Sequence, residues 1–223
     1  MREIVLDTET TGLSPNRGDR IVDVACIELI NKVPQRQFQR FINPEREVPA
    51  EAFNVHNLST EFLKDFPVFD SIADEFLTFI EDSPLIIHNA DFDMGFLNAE
   101  LIRSGKPALG SDRALCTMQL ARRRFPGQPA SLDALCRRFG VDNSHRVKHG
   151  ALVDCELLAE VYLELSGGRQ AGLALATVSV ETSVTIARMA RPPRAHAASE
   201  AELAAHATLL GRLKNPLWTA GKQ

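Results

Sequence analysis

The chain has 223 residues, 44% of them hydrophobic and 24% charged, enough for one large domain with a sizeable core or a domain with an appendage. A formal net charge of -4 argues against a protein that holds nucleic acid by bulk positive charge. No apolar run approaches the roughly 20 residues that cross a bilayer, and the start, MREIVLDTE, with acids at positions 3 and 7, does not read as a secretory signal.

Residues 3–8 (EIVLDT) read as a buried central strand that ends in polar residues. DTETTGLSPNRGD follows as a polar loop punctuated by Gly and Pro. Residues 20–30 (RIVDVACIELI) alternate as a half-buried strand, and QRQFQRFINP is a third alternating run closed by Asn43-Pro44. Their short connections suggest an antiparallel meander. Residues 70–82 place Ile72, Phe76, Phe79 and Ile80 at helical spacing, with Asp70 as N-cap. Pro84 opens a fourth strand, LIIHNA. Residues 93–104 form a helix through Met94, Phe96, Leu97 and Leu101, ended by Gly105. ALCT at 114–117 is a short fifth strand leading into a helix that stops at Phe125-Pro126-Gly127. SLDALCRRFG is a short helix from Ser131 to Gly140, and GALVDCELLAEVYLELSGG is a long amphipathic helix to Gly167-Gly168. Three strands followed by strand–helix alternation predict an α/β fold, a ribonuclease-H-like mixed five-stranded sheet flanked by helices, with an extended C-terminal tail.

The tail differs in kind. All 12 Phe lie between Phe38 and Phe139, and the first 168 residues carry 18 Lys+Arg against 26 Asp+Glu, a balance of -8; the last 55 residues carry +4. The expected division is a body over 1–168, a flexible linker over 169–198 broken by Pro192-Pro193, and a terminal helical segment over 199–223. Ser199 with Glu202 forms a capping-box pattern, and Leu203, Ala207, Leu210 and Leu213 share one face, with Leu217 and Trp218 beyond. A helix this short is marginal alone in water. Cys26, Cys116, Cys136 and Cys155 are widely spaced among apolar neighbours and read as reduced thiols of a cytoplasmic protein.

The chemistry lies in carboxylates at strand ends and helix starts. Asp7 and Glu9, two apart on a strand, point to the same face. Leaving both ionised and partly buried is costly unless a cation sits between them. Asp93, just after the fourth strand, faces back toward the first if Phe92 is buried; Asp91 is the competitor, and His88 and Asn89 are hydrogen-bonding groups. His149 precedes the last helix of the body, and Asp154 lies about one turn inside it, beside the packed face. Four hard oxygen donors without Cys suit Mg²⁺ or Mn²⁺. Two such ions roughly 3.5–4 Å apart cleave phosphodiesters, and a neutral His149 imidazole could take the proton of the attacking water.

DTETTGL, HNADFD and His149-x4-Asp154, in this order and spacing, resemble the three motifs of the DEDDh 3′–5′ exonucleases and, within them, the epsilon-type proofreading subunits of bacterial DNA polymerase III, over about residues 2–168. The resemblance implies Asp7, Glu9, Asp93 and Asp154 as metal-binding acids and His149 as general base. EAFNVH, similar to a family segment at the terminal nucleotide, carries over Glu51 and His56 as substrate-binding residues, with Thr8, Thr10, Gly12 and Leu13 lining the same pocket and Asp7, Glu9 and Asp154 also counted as substrate-binding. The implied partners are a DNA 3′ end, single-stranded or mispaired, and the polymerase catalytic subunit, docked through the terminal helix with Leu210, Leu217 and Trp218. Gln170, Leu173 and Leu175 resemble a weak sliding-clamp peptide within 170–175, and a small theta-like subunit is a further candidate. The implied function is proofreading, with release of 5′-mononucleotides. The alternatives are a free-standing exonuclease that trims RNA or oligonucleotides and a non-enzymatic assembly module.

Overall fold

Ile4, Val5 and Leu6 have no exposed surface, so the strand that carries them must be covered on both faces. The computed structural model, which describes residues 1–144, 146, 148–168 and 197–214, shows how. The chain divides into two units, Met1–Ala174 and Leu175–Gln223. Gln170, Leu173, Leu175, Leu217 and Trp218 lie outside the described residues.

In the first unit, β1 (Arg2–Thr10) is followed by a 3-10 turn (Pro15–Arg17), β2 (Ile21–Ile30) and β3 (Val33–Phe41). Asn31 and Lys32, both in the left-handed region (φ 50° and 67°), make the two-residue turn between β2 and β3, the hand that matches strand twist in a tight hairpin. Three helices come next: α1 (Ala50–His56), α2 (Thr60–Leu63) and α3 (Phe69–Ile80). Then β4 (Leu85–Ile87), α4 (Ala90–Arg103), β5 (Ala114–Cys116), α5 (Thr117–Arg124), α6 (Leu132–Phe139) and α7 (Ala151–Leu165) complete the body. The sheet order is β3-β2-β1-β4-β5. The β1–β2 and β2–β3 pairs are antiparallel, and β1–β4 and β4–β5 are parallel. This is the predicted mixed five-stranded α/β sheet.

Two hydrophobic layers sandwich it. Ile4 and Leu6 join Val24 and Cys26 of β2 with Phe69 and Phe76 of α3 and Phe96, Leu97 and Leu101 of α4. Val5 joins Ala25, Ile27 and Leu29 of β2 with Leu135 of α6 and Cys155, Leu158 and Val161 of α7. Burying one such aliphatic or aromatic side chain contributes about 1.5–3 kcal/mol, so the parity of β1 is strongly fixed. Arg20 clasps the buried Glu100 of α4 at 2.6 and 3.0 Å, tying the start of β2 to that helix.

The structure departs from several local expectations. β2 is covered on both faces except at Ile30, because α7 packs over the side that alternation assigned to solvent. Asp70 is not the cap of α3: the helix begins at Phe69 behind Val68, and Asp70 lies in its first turn. α4 starts at Ala90, so Asp93 is inside the helix instead of at its onset. The short helices α1 and α2 have no counterpart among the expected elements. In the second unit, α8 (Glu200–Arg212) carries the Ser199–Glu202 capping box, and none of its residues is buried. All four cysteines are free. Among the described residues, no helix is long and apolar enough to cross a membrane.

Candidate active site

The site grows from the alternation of β1. Asp7 and Glu9 continue the odd series of Val5, on the side of α7, while Thr8 continues the even series of Ile4 and Leu6, on the side of α4. Thr8 donates twice to Asp93 Oδ1, from its backbone N–H at 3.1 Å and its hydroxyl at 2.7 Å. Asp93 is buried in the first turn of α4; Asp91 is exposed. Burial pushes the Asp93 carboxyl up to about 7, against the pull of the Thr8 hydrogen bonds.

α7 supplies the third element. Gly150 caps it, and Asp154 is buried in its first turns. His149 stands just before it, half-exposed, with Nδ1 3.2 Å from Asp154 Oδ2, and its backbone N–H reaches the Val55 carbonyl of α1 at 3.2 Å. Burial alone raises the Asp154 carboxyl, but hydrogen bonds from His149 and Arg146 outweigh it and hold the group below the usual carboxylate range.

Among the described residues, no cation hydrogen-bonds to Asp7 or Glu9 of β1, and the charge of Arg146 only partly offsets the rise at Glu9. Burial, then the charges of Asp154, Asp23 and Asp93, push Glu9 up to about 8. Burial, then Asp93 and Glu9, raise Asp7 well above the ordinary range. Glu9 Oε1 is buried and accepts no hydrogen bond. Ligand atoms of Glu9, His149 and Asp154 lie within 4.8 Å of one another, a group able to hold a metal ion. Asp7 and Asp93 fall outside that tight group and bear on it through charge. An orphaned carboxylate oxygen among mutually repelling hard oxygens fits a divalent cation.

Beside the acids lies a cleft of ≈ 440 Å³. Every residue assigned to the nucleotide pocket other than Asp7 and Asp154 lines it: Thr8, Glu9, Thr10, Gly12, Leu13, Glu51 and His56, joined by Val55 and Phe92. Leu13 is 87% exposed, a free apolar surface at this cleft. The Thr10 hydroxyl donates to the Gly12 carbonyl at 2.6 Å. His56 is buried; desolvation lowers its pKa against the pull of the Thr10 backbone, and Nδ1 accepts the Leu58 N–H at 3.1 Å. His88 is likewise driven down to about 4 by burial, with Nδ1 3.0 Å from the Thr117 hydroxyl.

Two residues of the site escaped the sequence reading. Asp23 lies directly opposite Glu9 in the β1–β2 register, next to a bulge between Glu9 and Thr10. It is 1% exposed, takes hydrogen bonds from Gln39 and from the Ala151 backbone at the start of α7, and is raised by burial to about 7. Arg146 chelates Asp154. Cross-strand register is the signal that would have found Asp23; the motif spacing holds no signal for Arg146.

The comparisons agree with this geometry. The exonuclease (RNase T) family profile matches residues 4–162. A DNA polymerase III subunit epsilon of Rickettsia felis is 55% identical over 187 residues, 82% of each chain. That of Salmonella typhimurium is 41% identical over 238 residues, 98% of each chain. The structure of exonuclease X in complex with 5′ overhanging duplex DNA shares the fold, at TM-score 0.59 and 24% identity, over 73% of this chain and 89% of that one. With acids at the strand end, on α4 and on α7 beside one cleft, and relatives matched over 82% and 98% of their length, the chain belongs to the exonuclease family and, within it, to the DNA polymerase III epsilon subunits.

Proposed function

We propose that this 3′–5′ exonuclease works with two divalent ions, Mg²⁺ or Mn²⁺, held by Asp7, Glu9, Asp93 and Asp154, and with His149 as general base. The observation that carries the reading is Glu9: a buried carboxylate oxygen without a hydrogen bond, among acids that raise one another's pKa. Such ions, when bound, supply Lewis acidity at the scissile phosphate and offset its charge. The chain's own groups do the rest. Thr8 fixes Asp93 through two hydrogen bonds. His149 takes a proton at a ring nitrogen, and its half-exposed side chain is open to the reacting water. The cleft of Thr10, Gly12, Leu13, Glu51 and His56 receives the terminal nucleotide, with Leu13 against its base. A paired end must unpair before it enters, and a mispaired end does so at lower cost, which favours proofreading.

Relatives that carry the polymerase-subunit name, matched over 82% and 98% of their length, favour a replicative partner over a free-standing RNA-trimming enzyme. In this reading residues 1–168 form the exonuclease body, 169–198 the linker with the clamp peptide around Gln170, Leu173 and Leu175, and 199–223 the segment that docks on the catalytic subunit through Leu210, Leu217 and Trp218, in the bacterial cytoplasm. The test is digestion of matched and mismatched primers by the full chain with Mn²⁺ and with EDTA. His149→Ala is expected to cost about 10²–10⁴-fold in kcat. Full activity of His149→Ala, or activity in EDTA, overturns the mechanism.

A further inference from the structure

Arg146 has no part in the reaction as derived so far, yet it occupies its centre. The side chain is 8% exposed. Nε and Nη2 clasp both oxygens of Asp154 at 2.5 and 2.7 Å. Nη2 also lies 2.8 Å from His149 Nδ1, and Nη1 reaches Asp133 Oδ1 of α6 at 2.9 Å. A guanidinium has donors alone. It therefore engages both carboxylate oxygens while lying against the imidazole ring. A cation bound at Asp154 requires those same oxygens. The two occupants exclude each other.

We propose that Arg146 is a built-in countercation: it holds the place of an ion on Asp154 and gives up that carboxylate when a divalent ion binds there. The inference rests on the reading of Asp154 as a ligand. Asp133 provides the resting place on release. It stands outside the group of acids that perturb one another, and its carboxylate is half-exposed, so the guanidinium keeps one charged partner after it gives up Asp154. The bidentate clasp matters as much as the charge, because a planar fork covers both oxygens where a point charge covers one. The apo site is thereby kept from holding Asp154 as an unpaired buried anion, and its ion affinity is set by competition with the chain's own cation.

The experiment compares full-length wild type, Arg146→Met, Arg146→Lys and Asp154→Asn by thermal midpoint in EDTA and by Mn²⁺ titration calorimetry. Arg146→Met is expected to lower the metal-free midpoint and, in the opposite direction, to tighten Mn²⁺ by about tenfold, the scale of a lost charge-assisted hydrogen bond. Arg146→Lys, which keeps the charge and loses the fork, tightens it by a smaller factor and keeps the inference testable if the Met variant does not fold. An arginine with a merely structural role would lower the midpoint and leave Mn²⁺ affinity equal or weaker in both variants; that result overturns the inference. Asp154→Asn must weaken Mn²⁺. If it does not, the ligand reading itself fails; if it does while neither Arg146 variant tightens the ion, the countercation alone is wrong.

Discussion

Gly12 has no room for a β carbon. One built there would stand 2.4 Å from Oδ2 of Asp19. That carboxylate accepts the Ser14 N–H at 3.1 Å and pairs with Arg46 at 3.0 Å, so it cannot yield without loosening the loop beside the cleft. Gly12→Ala is expected to destabilise the chain by about 1–3 kcal/mol, the usual cost of overpacking. Because Gly12 and Asp19 line the cleft and hold no acid of the β1–α7 cluster, KM for an oligonucleotide 3′ end should rise by a larger factor than kcat falls. Steady-state kinetics with KM unchanged would show that the loop does not shape the nucleotide pocket. At this scale the sequence was legible where partners are close in the chain. Asp7 and Glu9 announce themselves by their spacing at the end of an apolar run. Asp23 looked like the solvent slot of an alternating strand, since nothing local says that α7 covers it. Arg146 is unremarkable until α6 and α7 bring Asp133 and Asp154 to its two sides.

The elements that carry the site are few. β1, α4 and α7 each deliver acids, and their existence followed from apolar runs and helical spacing. α1 and α2 did not, because four to seven residues give too few turns for a period to show, and Pro49 and Ser59 at their starts read equally well as loop. α8 is capped at both levels of the capping box yet buries nothing, and Leu203, Leu209 and Leu213 remain about half-exposed. A helix whose stability must come from packing needs a surface to pack on. Leu203→Asp combined with Leu210→Asp is expected to weaken co-purification with the polymerase catalytic subunit at least about tenfold, in line with the loss of buried anchor residues, while leaving exonuclease activity on single-stranded DNA unchanged. Equal recovery of the complex would remove α8 from the docking surface.

For the whole molecule, the acids set how stability follows pH. Asp23 and Asp93 reach about 7 and Glu9 about 8 in the fold, against 3.8 and 4.5 for the free side chains. An acid whose folded pKa is raised costs nothing while protonated in both states; the cost grows as pH climbs past the unfolded value and is complete above the folded one. His56 and His88, both lowered, act oppositely, but their gain is complete above about 6.5. Between about pH 6.5 and 8 the carboxylates therefore decide the slope, each adding about 1.4 kcal/mol per pH unit while it stays protonated in the fold. The melting temperature in EDTA should fall across that window, and Mn²⁺ should flatten the fall by holding the acids ionised. A flat EDTA profile would count against the buried acidic cluster. The net charge of -4 takes its meaning here: the first 168 residues carry -8, and Asp7, Glu9, Asp93 and Asp154 gather part of that repulsion at one place. The covering of β1 on both faces has one more consequence. The strand that presents Asp7 and Glu9 is also among the most deeply enclosed parts of the fold, so a cavity opened at Val5 or Leu6 is expected to cost stability and exonuclease activity together. Heat sensitivity and loss of copying fidelity are then expected to travel together in such variants, which melting curves beside mismatch digestion would check.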